Sequence, residues 1–302
     1  MTREEIAQIV KSTAAEVGFD LCGITKAEVV PEAQARFVDW IKKGYHADMK
    51  YLENIERRTN PLEVMNKAKS LIMLAVNYYS QEKEEEESMK VARYARGRDY
   101  HKYIGNLLKQ FTRKLKEQFP EEEFRFYVDY GPFLERTYAE LAGIGFIGKN
   151  GNIITDKFGS WVLLAEVITS LEMEYDTPSV RKCGTCTKCL TSCPTDAFVS
   201  EGVLDAKRCI SYYTIESKAD TIPEDIKEKM KGWAFGCDIC QEVCPFNNRL
   251  RNKETEHSDL KPRYASLHEK MDALESDENF LETFQGTPLM RAKRKGIKRN
   301  IT

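Results

Sequence analysis

The chain has 302 residues, with 46 basic and 48 acidic side chains and a formal net charge of -2. The length predicts more than one domain, and the near-neutral charge gives no sign that the protein as a whole binds a polyanion. Residues 1–6 contain no apolar signal core, and no stretch has enough apolar residues to span a membrane. We therefore expect a cytoplasmic protein, with no membrane partner, whose thiols stay reduced.

Hydrophobic periodicity in the first 175 residues predicts alternating helices and strands. Residues 2–17 carry apolar side chains at helical intervals, with Thr2 and Glu5 at capping-box spacing and Gly18 where a helix would end. Further helices are predicted at residues 32–43, 101–119 and 133–142. Short apolar runs typical of strands lie at residues 71–76, 124–128 and 161–168. This alternation predicts a layered α/β domain.

Residues 143–148 match the pattern G-x-G-x-x-G, which is the dinucleotide-binding fingerprint. That fingerprint must follow a strand and open a helix, because the pyrophosphate sits at the helix N-terminus. Here residues 133–142 are predicted to be a helix, and residues 150–155 are polar and then β-branched. We therefore do not interpret this segment as a nucleotide site.

A carboxylate lies where a predicted strand meets a Gly-Pro turn, in the segment VDYGP at residues 128–132. Strand ends are where α/β folds present catalytic groups, so Asp129 is a candidate catalytic residue. An Asp in this position can equally close an Asx turn with its own backbone. The local sequence leaves both interpretations of Asp129 open.

Eight of the nine cysteines fall within residues 183–244, in two groups of related spacing. The first group reads C-x2-C-x2-C-x3-C-P, the bacterial ferredoxin pattern in which three thiolates hold one 4Fe–4S cluster and the fourth crosses to another. The second group has the same Cys-Pro ending and lacks one cysteine, for which Cys209 is the nearby replacement. We predict two 4Fe–4S clusters, one held by Cys183, Cys186, Cys189 and Cys244 and the other by Cys193, Cys209, Cys237 and Cys240.

Structural zinc is the alternative metal, because two C-x2-C pairs can supply the four ligands of a tetrahedral site. Zinc sites usually use two separated pairs, whereas here three cysteines fall within seven residues and each group ends in Cys-Pro. Disulfides are not expected in a reducing compartment. Cys22 lies far from the others and is interpreted as a small buried apolar residue.

Two charged segments interrupt the neutral balance of the chain. Residues 81–88, QEKEEEES, are interpreted as a solvated acidic loop. Residues 291–299, RAKRKGIKR, contain six basic residues in nine. They are interpreted either as a frayed, solubilising tail or as a segment that contacts the phosphates of a nucleic acid.

Several longer segments together resemble the epoxyqueuosine reductase family, whose members use cobalamin and iron–sulfur clusters in the last step of queuosine synthesis in tRNA. The segments are YLENIERRTNP at residues 51–61, RYARGRDYHKY at 93–103, VDYGPFLERTYAELAGIGFIGKNGNII at 128–154, CISYYTIE at 209–216 and WAFGCDICQEVCPFN at 233–247. They are spread over most of the chain, and together they are more specific than the ferredoxin pattern.

The resemblance implies an α+β or α/β fold in three parts. These are a reductive-dehalogenase-like cobalamin-binding domain at residues 1–175, a bacterial-ferredoxin-like domain with two 4Fe–4S clusters at 176–255, and a helical and basic tail at 256–302. The aspartate of the family's VDxGP motif, Asp129 here, is implied as proton donor and cofactor contact. Three further residues fall in segments that line the corrin, namely Arg57, Ser211 and Asp238. None of the four histidines lies in a D-x-H-x-x-G corrinoid motif, so no imidazole ligand to cobalt is expected.

The implied reaction is the reduction of epoxyqueuosine to queuosine in tRNA, with electrons passed through the clusters to cobalamin. The implied partners are the anticodon region of queuosine-type tRNAs and a low-potential donor such as a flavodoxin or ferredoxin, and we expect a monomer. Asp129 would protonate the departing oxygen. For this role we expect burial against the corrin to raise its pKa above the ordinary value.

Two features depart from the family pattern. Tyr130 stands where the motif commonly has Thr, beside the proposed acid, which predicts an altered substrate fit. Many family members continue past the basic segment into a helical-repeat domain that helps to hold tRNA, whereas this chain stops at Thr302. We therefore expect a short form with modest and strongly salt-dependent affinity for tRNA.

Two other functions share part of the pattern. A dehalogenase, or another cobalamin-dependent reductase of a small molecule, would use the same cofactors. Exported dehalogenases carry a twin-arginine signal, and the Arg57-Arg58 pair lies too deep in the chain to be one. A ferredoxin-like electron carrier would need only the cysteines, and it would leave the VDYGP and RYARGRDYH segments unexplained.

Overall fold

The computed structural model of the protein describes residues 1–81, 89–248, 253–264 and 266–302. The acidic segment that we predict to be a solvated loop lies outside these residues, apart from Gln81. Within the described ranges, every helix is too short or too polar to cross a membrane.

The predicted helices are confirmed to within two residues at each end, as α1, α2, α4 and α5. The α-helices of the described ranges are α1 (Arg3–Val17), α2 (Pro31–Lys42), α3 (Ile55–Thr59), α4 (Tyr100–Gln118), α5 (Glu135–Leu141), α6 (Lys188–Thr191), α7 (Glu224–Lys227), α8 (Ile239–Glu242), α9 (Asp277–Phe284) and α10 (Lys293–Ile301). The predicted caps of α1 are present. The Thr2 N–H donates to Glu5 Oε2 at 2.8 Å, and Gly18 ends the helix with a left-handed φ of 108°.

Shorter helical segments connect many of these elements. They are 3-10 helices at Lys50–Leu52, Pro61–Glu63, Arg93–Ala95, Ala206–Arg208, Pro245–Asn247, Ser258–Leu260, Leu267–Leu274 and Pro288–Arg291, and a π-helix at Tyr212–Glu216. The π-helix begins three residues after Cys209, in the segment that resembles the family's CISYYTIE. Single-turn π-helices occur frequently at functional sites.

The three predicted strands are confirmed as β2, β4 and β7 of a four-stranded sheet. The described strands are β1 (Leu21–Lys26), β2 (Ser70–Asn77), β3 (Lys90–Val91), β4 (Phe124–Tyr127), β5 (Phe146–Ile147), β6 (Ile153–Ile154), β7 (Val162–Thr169), β8 (Phe198–Ser200), β9 (Val203–Leu204) and β10 (Trp233–Phe235). The sheet has the order β1-β2-β7-β4, and all three pairings are antiparallel. Of the two implied descriptions, α+β is therefore the one that fits the sheet.

The central strand β2 is buried along its whole length because helices cover both faces of the sheet. Its side chains alternate between two cores. Ile72, Leu74 and Val76 pack with α1 and α4 on one face, and Leu71 and Met73 pack with α5 on the other. The α5 face of the sheet also carries the turn that follows β4, which contains Asp129.

The glycine-rich segment at residues 143–148 leads into a β-hairpin. This agrees with our interpretation that the segment is not a nucleotide site. It follows α5 and enters β5, which pairs with β6 in antiparallel fashion. A Cβ atom at Gly145 would lie 2.3 Å from the Ile154 carbonyl oxygen, so a glycine is needed for this close approach. The segment thus follows a helix and leads into a strand, the opposite order to a dinucleotide fold.

The C-terminal segment, residues 256–302, packs onto the cysteine-rich part of the chain. Phe284, Leu289 and Ile297 share a core with Phe235 of β10. The Asn300 side-chain amide donates to the carbonyls of Thr214 at 3.0 Å and Ala234 at 2.7 Å. The interpretation of the basic segment as a frayed tail is therefore wrong, because most of that segment forms the docked helix α10.

Several basic side chains of this segment already have partners within the protein. Arg291 donates two hydrogen bonds to Glu216, at 2.8 and 2.6 Å, and Arg294 contacts Asp277 at 2.5 Å. Lys295 pairs with Asp220, and Arg299 donates to backbone carbonyls of residues 217 and 219. Less positive charge is therefore free for phosphate contacts than the sequence suggests.

We expect replacement of Ile297 by alanine to destabilise the protein by about 2–5 kcal/mol, the usual cost of truncating a fully buried aliphatic side chain. Ile297 is 0% exposed on the inner face of α10. The measurement is the free energy of unfolding by urea titration, with the exposed Lys298→Ala on the same helix as the control, expected within about 0.5 kcal/mol of the unsubstituted protein. Equal stabilities for both variants would mean that α10 is not docked.

Candidate active site and cysteine region

Asp129 follows β4 in a tight turn with a strained backbone. Its φ of 61° lies in the left-handed region, which Asp and Asn tolerate better than most residues. Across the turn, the Tyr130 N–H donates to the Val128 carbonyl at 2.6 Å. Strain of this kind persists only where the surrounding structure holds it, and it is concentrated at active sites.

The carboxylate of Asp129 is hydrogen-bonded to the start of α4. The Tyr100 hydroxyl donates to Oδ2 at 2.8 Å, and Nε2 of His101 lies 3.2 Å from the same oxygen. Nδ1 of His101 lies 2.8 Å from Oδ1 of Asp99, whose side chain caps α4. These hydrogen bonds run to another element and not to the turn itself, so the geometry favours the catalytic interpretation of Asp129 over the Asx turn.

The proton of this group resides on the histidine. Burial acts to lower the pKa of His101, but hydrogen bonds to Asp129 and Asp99 outweigh burial and raise the pKa to about 9. For Asp129, burial acts to raise the pKa, and the hydrogen bonds from His101 and Tyr100 outweigh it, so that the pKa lies below its ordinary value. The raised pKa that we expect when a corrin buries the Asp129 carboxylate stays a prediction. At neutral pH the two side chains form an imidazolium–carboxylate pair.

Three stacked aromatic rings lie beside the Asp129 carboxylate, and the ring at one end of the stack is exposed to solvent. The rings of Tyr100 and His101 are stacked at 4.1 Å between centroids, and Tyr130 continues the stack at 6.2 Å from His101. Protein atoms pack against one side of the Asp129 side chain, which is nevertheless 59% exposed to solvent. Tyr130 is 66% exposed. The Asp129 carboxylate is therefore accessible to a ligand from solvent.

Two arginines lie within electrostatic range of Asp129. Arg58 stacks over the ring of Tyr51 at 5.7 Å, and Asp129 acts electrostatically on it. Arg291, the first basic residue of the C-terminal basic segment, lies close enough for its charge to lower the pKa of Asp129. Arg57, which the resemblance places near the corrin, is exposed beside Arg58, and its contact with the corrin stays a prediction.

The other two corrin-lining predictions, Ser211 and Asp238, lie in the cysteine region. The Ser211 hydroxyl and backbone N–H are hydrogen-bonded to the thiol of Cys209. Asp238 is 1% exposed and accepts a 2.7 Å hydrogen bond from the Arg93 N–H, so its role in the structure is to anchor that segment. The corrin contacts of both residues stay predictions.

The first predicted set of cluster ligands is brought together in the structure. Cys189 lies within electrostatic range of Cys183 and Cys244, and Cys244 within range of Cys183 and Cys186. The Lys149 N–H donates to Cys183 Sγ at 3.4 Å. Backbone N–H groups directed at the sulfurs are one of the features that tune iron–sulfur clusters.

The second predicted set forms a separate neighbourhood. Cys237 lies within electrostatic range of Cys209 and Cys193, and Cys240 within range of Cys237 and Cys209. Cys240 is also within range of Cys189, so the two neighbourhoods adjoin. We predicted that Cys209 replaces the cysteine that the second group lacks, and it lies close to Cys237 and Cys240 of that group. The assignment of all eight cysteines as cluster ligands stays a prediction.

Zinc is the alternative metal for the grouped cysteines. Zinc–sulfur bonds of about 2.3 Å would bring four thiolates to within about 4 Å of one another. Among the described residues, which include all nine cysteines, no three Cys, His, Asp or Glu side chains converge tightly enough to hold one metal ion. Thiolates of a 4Fe–4S cluster stand farther apart, because each binds a different iron.

Tyr94 lies near both Asp129 and the cysteine region. Its ring lies 5.8 Å from that of Tyr100 and 6.4 Å from that of Phe235, which is two residues before Cys237. The charges of Asp129 and Asp238 both act on the Tyr94 hydroxyl. One side chain is therefore close to the proposed acid and to the cysteine region.

Two family models match the chain. The model described as "Epoxyqueuosine reductase QueG, DUF1730" matches residues 58–130, which include Asp129 and His101. The model described as "4Fe-4S double cluster binding domain" matches residues 182–247, which include the eight grouped cysteines.

Individual proteins match over nearly the whole chain. A protein of Cyclobacterium marinum named epoxyqueuosine reductase is 42% identical over 308 residues, covering 99% of this chain and 97% of its own. A crystal structure of epoxyqueuosine reductase with a tRNA-Tyr epoxyqueuosine-modified tRNA stem loop has a TM-score of 0.90 and 32% identity, covering 98% of this chain and 80% of that chain. A catabolic reductive dehalogenase, at a TM-score of 0.52 and 16% identity, covers 99% of this chain and 38% of that one, which shows the fold alone.

The fold and the double-cluster region together define an iron–sulfur oxidoreductase. Identity of 42% along almost the full length of both chains is specific to one family. The chain belongs to the epoxyqueuosine reductase family.

Sequence reasoning missed His101 as the partner of Asp129. The two residues are 28 positions apart, so no local pattern connects them. The one signal in the sequence is that RYARGRDYH and VDYGP are both segments of the family resemblance.

Proposed function

We propose that the protein reduces the epoxide of epoxyqueuosine in tRNA and so forms queuosine. The epoxide takes up two electrons and two protons, its oxygen leaves as water, and a carbon–carbon double bond forms. The observation that carries the proposal is the exposed Asp129 carboxylate that faces a proton-bearing His101, in a chain of this family.

The cofactors of the reaction are cobalamin and two 4Fe–4S clusters. Together they supply low-potential electrons, and cluster potentials extend down to about -700 mV. We propose that the eight grouped cysteines hold the clusters in the two sets given above. We also propose that the corrin lies against the open side of Asp129, where the exposed carboxylate and the Tyr130 ring leave room for a large group.

The Asp129–His101 pair can deliver one of the two protons. At neutral pH the proton is held at Nε2 of His101, 3.2 Å from Asp129 Oδ2. A substrate that covers the exposed Asp129 side chain and the partly exposed His101 side chain excludes water, and loss of water disfavours the charged form of both. The proton then moves to Asp129, which donates it to the departing oxygen as a general acid. Tyr100 and Asp99 hold the pair in place during this transfer.

Tyr130 is suited to hold the nucleoside. Its ring is 66% exposed beside the acid and lies at 17° to the His101 ring. Single-stranded RNA bases are commonly recognised by stacking on exposed aromatic rings, with about 1–3 kcal/mol gained per base. We propose that the Tyr130 ring stacks on a base of the anticodon loop, a contact that the Thr of the usual family motif could not make.

A cavity lined in part by Asp99, the partner of His101, is a further candidate contact for a tRNA substrate. Its volume is about 320 Å³, and its lining includes three basic residues, Arg98, Lys102 and Arg263, and two acidic ones, Asp99 and Asp259. Arg98 lies 3.6 Å from Asp259. We propose that RNA phosphates contact Lys102 and Arg263, because Lys and Arg contacts supply the sequence-independent part of RNA affinity.

Three narrower statements belong to the same proposal. We propose a flavodoxin or ferredoxin as electron donor, a monomeric enzyme, and a division into residues 1–175, 176–255 and 256–302. Reduction assays with each donor test the first statement, and sedimentation velocity tests the second. Limited proteolysis near residue 175 tests the third, with a stable fragment as the supporting result.

The function is tested by incubating the anaerobically reconstituted protein with tRNA that carries epoxyqueuosine and a reduced flavodoxin. We expect queuosine among the released nucleosides, measured by mass spectrometry. Tyr130→Ala should raise KM for the tRNA by about tenfold, and Tyr130→Phe, which keeps the ring, should restore it. Failure to form queuosine, together with reduction of a halogenated phenol, would make the protein a small-molecule reductase.

A further inference from the structure

Two glutamates lie beneath the turn that carries Asp129, and the reaction described above uses neither. Glu166 is in the middle of β7, where it pairs with Met73 of β2 and Tyr127 of β4, and it is 0% exposed. Glu135 is the first residue of α5 and is partly buried. A carboxyl group in the centre of an apolar sheet is costly unless it is protonated or paired.

The two carboxyl groups are close neighbours that share a proton. No donor among the described residues reaches either oxygen of Glu166, and its neighbour is the carboxyl group of Glu135. Two ionised carboxylates cannot hydrogen-bond, because both only accept, whereas a protonated one can donate to the other. Burial and the charge of Glu135 raise the pKa of Glu166 well above its ordinary value, so Glu166 carries the proton. Burial and the charge of Asp129 raise the pKa of Glu135 to about 7.

The turn that carries Asp129 rests directly on this pair. The Asp129 N–H donates to Glu135 Oε1 at 3.1 Å. A Cβ atom at position 131 would lie 2.0 Å from Glu166 Oε1, so only a glycine there lets the turn approach the buried carboxyl group. The left-handed backbone of Asp129 is strained and needs support from outside the turn.

We propose that Glu135 and Glu166 are positioning residues for the reaction. Glu166 donates its proton to Glu135, and the Glu135 carboxylate holds the Asp129 N–H, which keeps the strained turn in the conformation that aims Asp129 at His101. The role of Asp129 in this inference rests on the proposed function. The support that Glu135 gives to the turn does not rest on the proposed function, because it follows from the contacts of the two glutamates alone.

The hydrogen bond from the Asp129 N–H to Glu135, called the hold on the turn, depends on pH. It strengthens as the pH rises, whereas the activity of a general acid falls. The charged and titratable side chains that act on the pair are Asp129, Arg136, Arg58 and Tyr100. Glu135 is ionised above about pH 7, and hydrogen bonds to an ionised acceptor are roughly twice as strong as neutral ones. The hold is therefore present above this pH and is lost as the pH falls through it. A general acid by itself becomes more active as the pH falls.

The first test compares pH profiles of single-turnover reduction by the reconstituted holoenzyme. We expect the unsubstituted protein to lose rate on the acid side near pH 7. Glu135→Gln should abolish this acid-side loss and lower the rate at pH 8 by about tenfold, because its bond to the turn is neutral at every pH. Glu166→Leu should move the loss to higher pH, and Glu166→Gln, whose amide can donate to Glu135, should return it. The exposed Glu121→Gln is the control and should keep the profile of the unsubstituted protein.

The second test needs neither activity nor cofactors. At pH 8 the infrared spectrum of the protein should contain the carbonyl stretch of a protonated carboxylic acid that is missing in Glu166→Gln. The protection factor of the Asp129 amide hydrogen, which compares its exchange rate with the intrinsic rate at the same pH, should be high at pH 8 and lower at pH 6. Absence of the acid band, or a protection factor that does not change with pH, would overturn the inference even in an active enzyme. If the acid band and the pH-dependent protection are both present but epoxyqueuosine is not reduced, the role of the glutamates in supporting the turn is confirmed. The proposed reaction is then wrong.

Discussion

Replacement of Asp129 by asparagine is expected to lower the rate of epoxyqueuosine reduction by a factor of about 100 or more, the usual loss when a general acid is removed. Asparagine tolerates the left-handed φ of 61° as well as aspartate does, so the turn should keep its conformation. Clusters and cobalamin should bind as in the unsubstituted protein. The variant loses only the group that carries a proton from His101 to the departing oxygen.

The same variant should change the titration of His101. Without the Asp129 carboxylate, the histidine keeps only Asp99 as an ionised partner, so its pKa should fall from about 9 toward the ordinary value. NMR of the imidazole measures this shift directly. Asp196→Asn is a matched control, because Asp196 is exposed and also has a left-handed φ, of 50°. An unchanged reduction rate in Asp129→Asn would return Asp129 to the role of a turn residue.

Replacement of Cys209 by alanine should remove one of the two clusters and abolish reduction. The anaerobically reconstituted protein should hold about eight irons, and the variant about four, because Cys209 completes the set of Cys193, Cys237 and Cys240. The remaining cluster keeps its four ligands and should retain its absorption and its electron paramagnetic resonance signal.

Cys22→Ala is the control for this cysteine substitution. Cys22 packs at the edge of the sheet core, where burial raises the pKa of its thiol to about 12, and it lies outside the cysteine region. Its replacement should leave the iron content unchanged. Eight irons in Cys209→Ala, or stoichiometric zinc in the unsubstituted protein, would contradict the ligand assignment.

The sequence predicted those parts of the fold that depend on neighbours along the chain. The caps of α1 are set by residues at its own two ends, and the burial of β2 is visible as an uninterrupted apolar run. Strand β1, Leu21–Lys26, was not predicted, because a glycine and polar residues interrupt its apolar pattern. The antiparallel order of the sheet depends on pairing between distant strands, which local periodicity does not record.

In the candidate site, too, the sequence predicted local features and missed contacts between distant residues. The cysteine sets follow from spacing within about sixty residues, whereas the contact between Asp129 and His101 forms only when β4 and α4 pack together. Glu166 was missed although a signal existed, since it is a lone acidic residue within an apolar strand. The sequence did not predict the docking of α10, because its five basic residues outnumber the few apolar side chains that are buried.

The buried glutamate pair also sets a conflict between the stability of the protein and its activity. Because the pKa of Glu135 is about 7 in the folded chain and near its ordinary value in the unfolded chain, the folded state binds more protons between these values. The free energy of unfolding therefore decreases as the pH rises through this window, the reverse of the behaviour of an ordinary salt-bridged carboxylate. Selection for thermal stability alone should thus replace the pair with apolar residues, and the resulting enzyme should be more heat-resistant and slower.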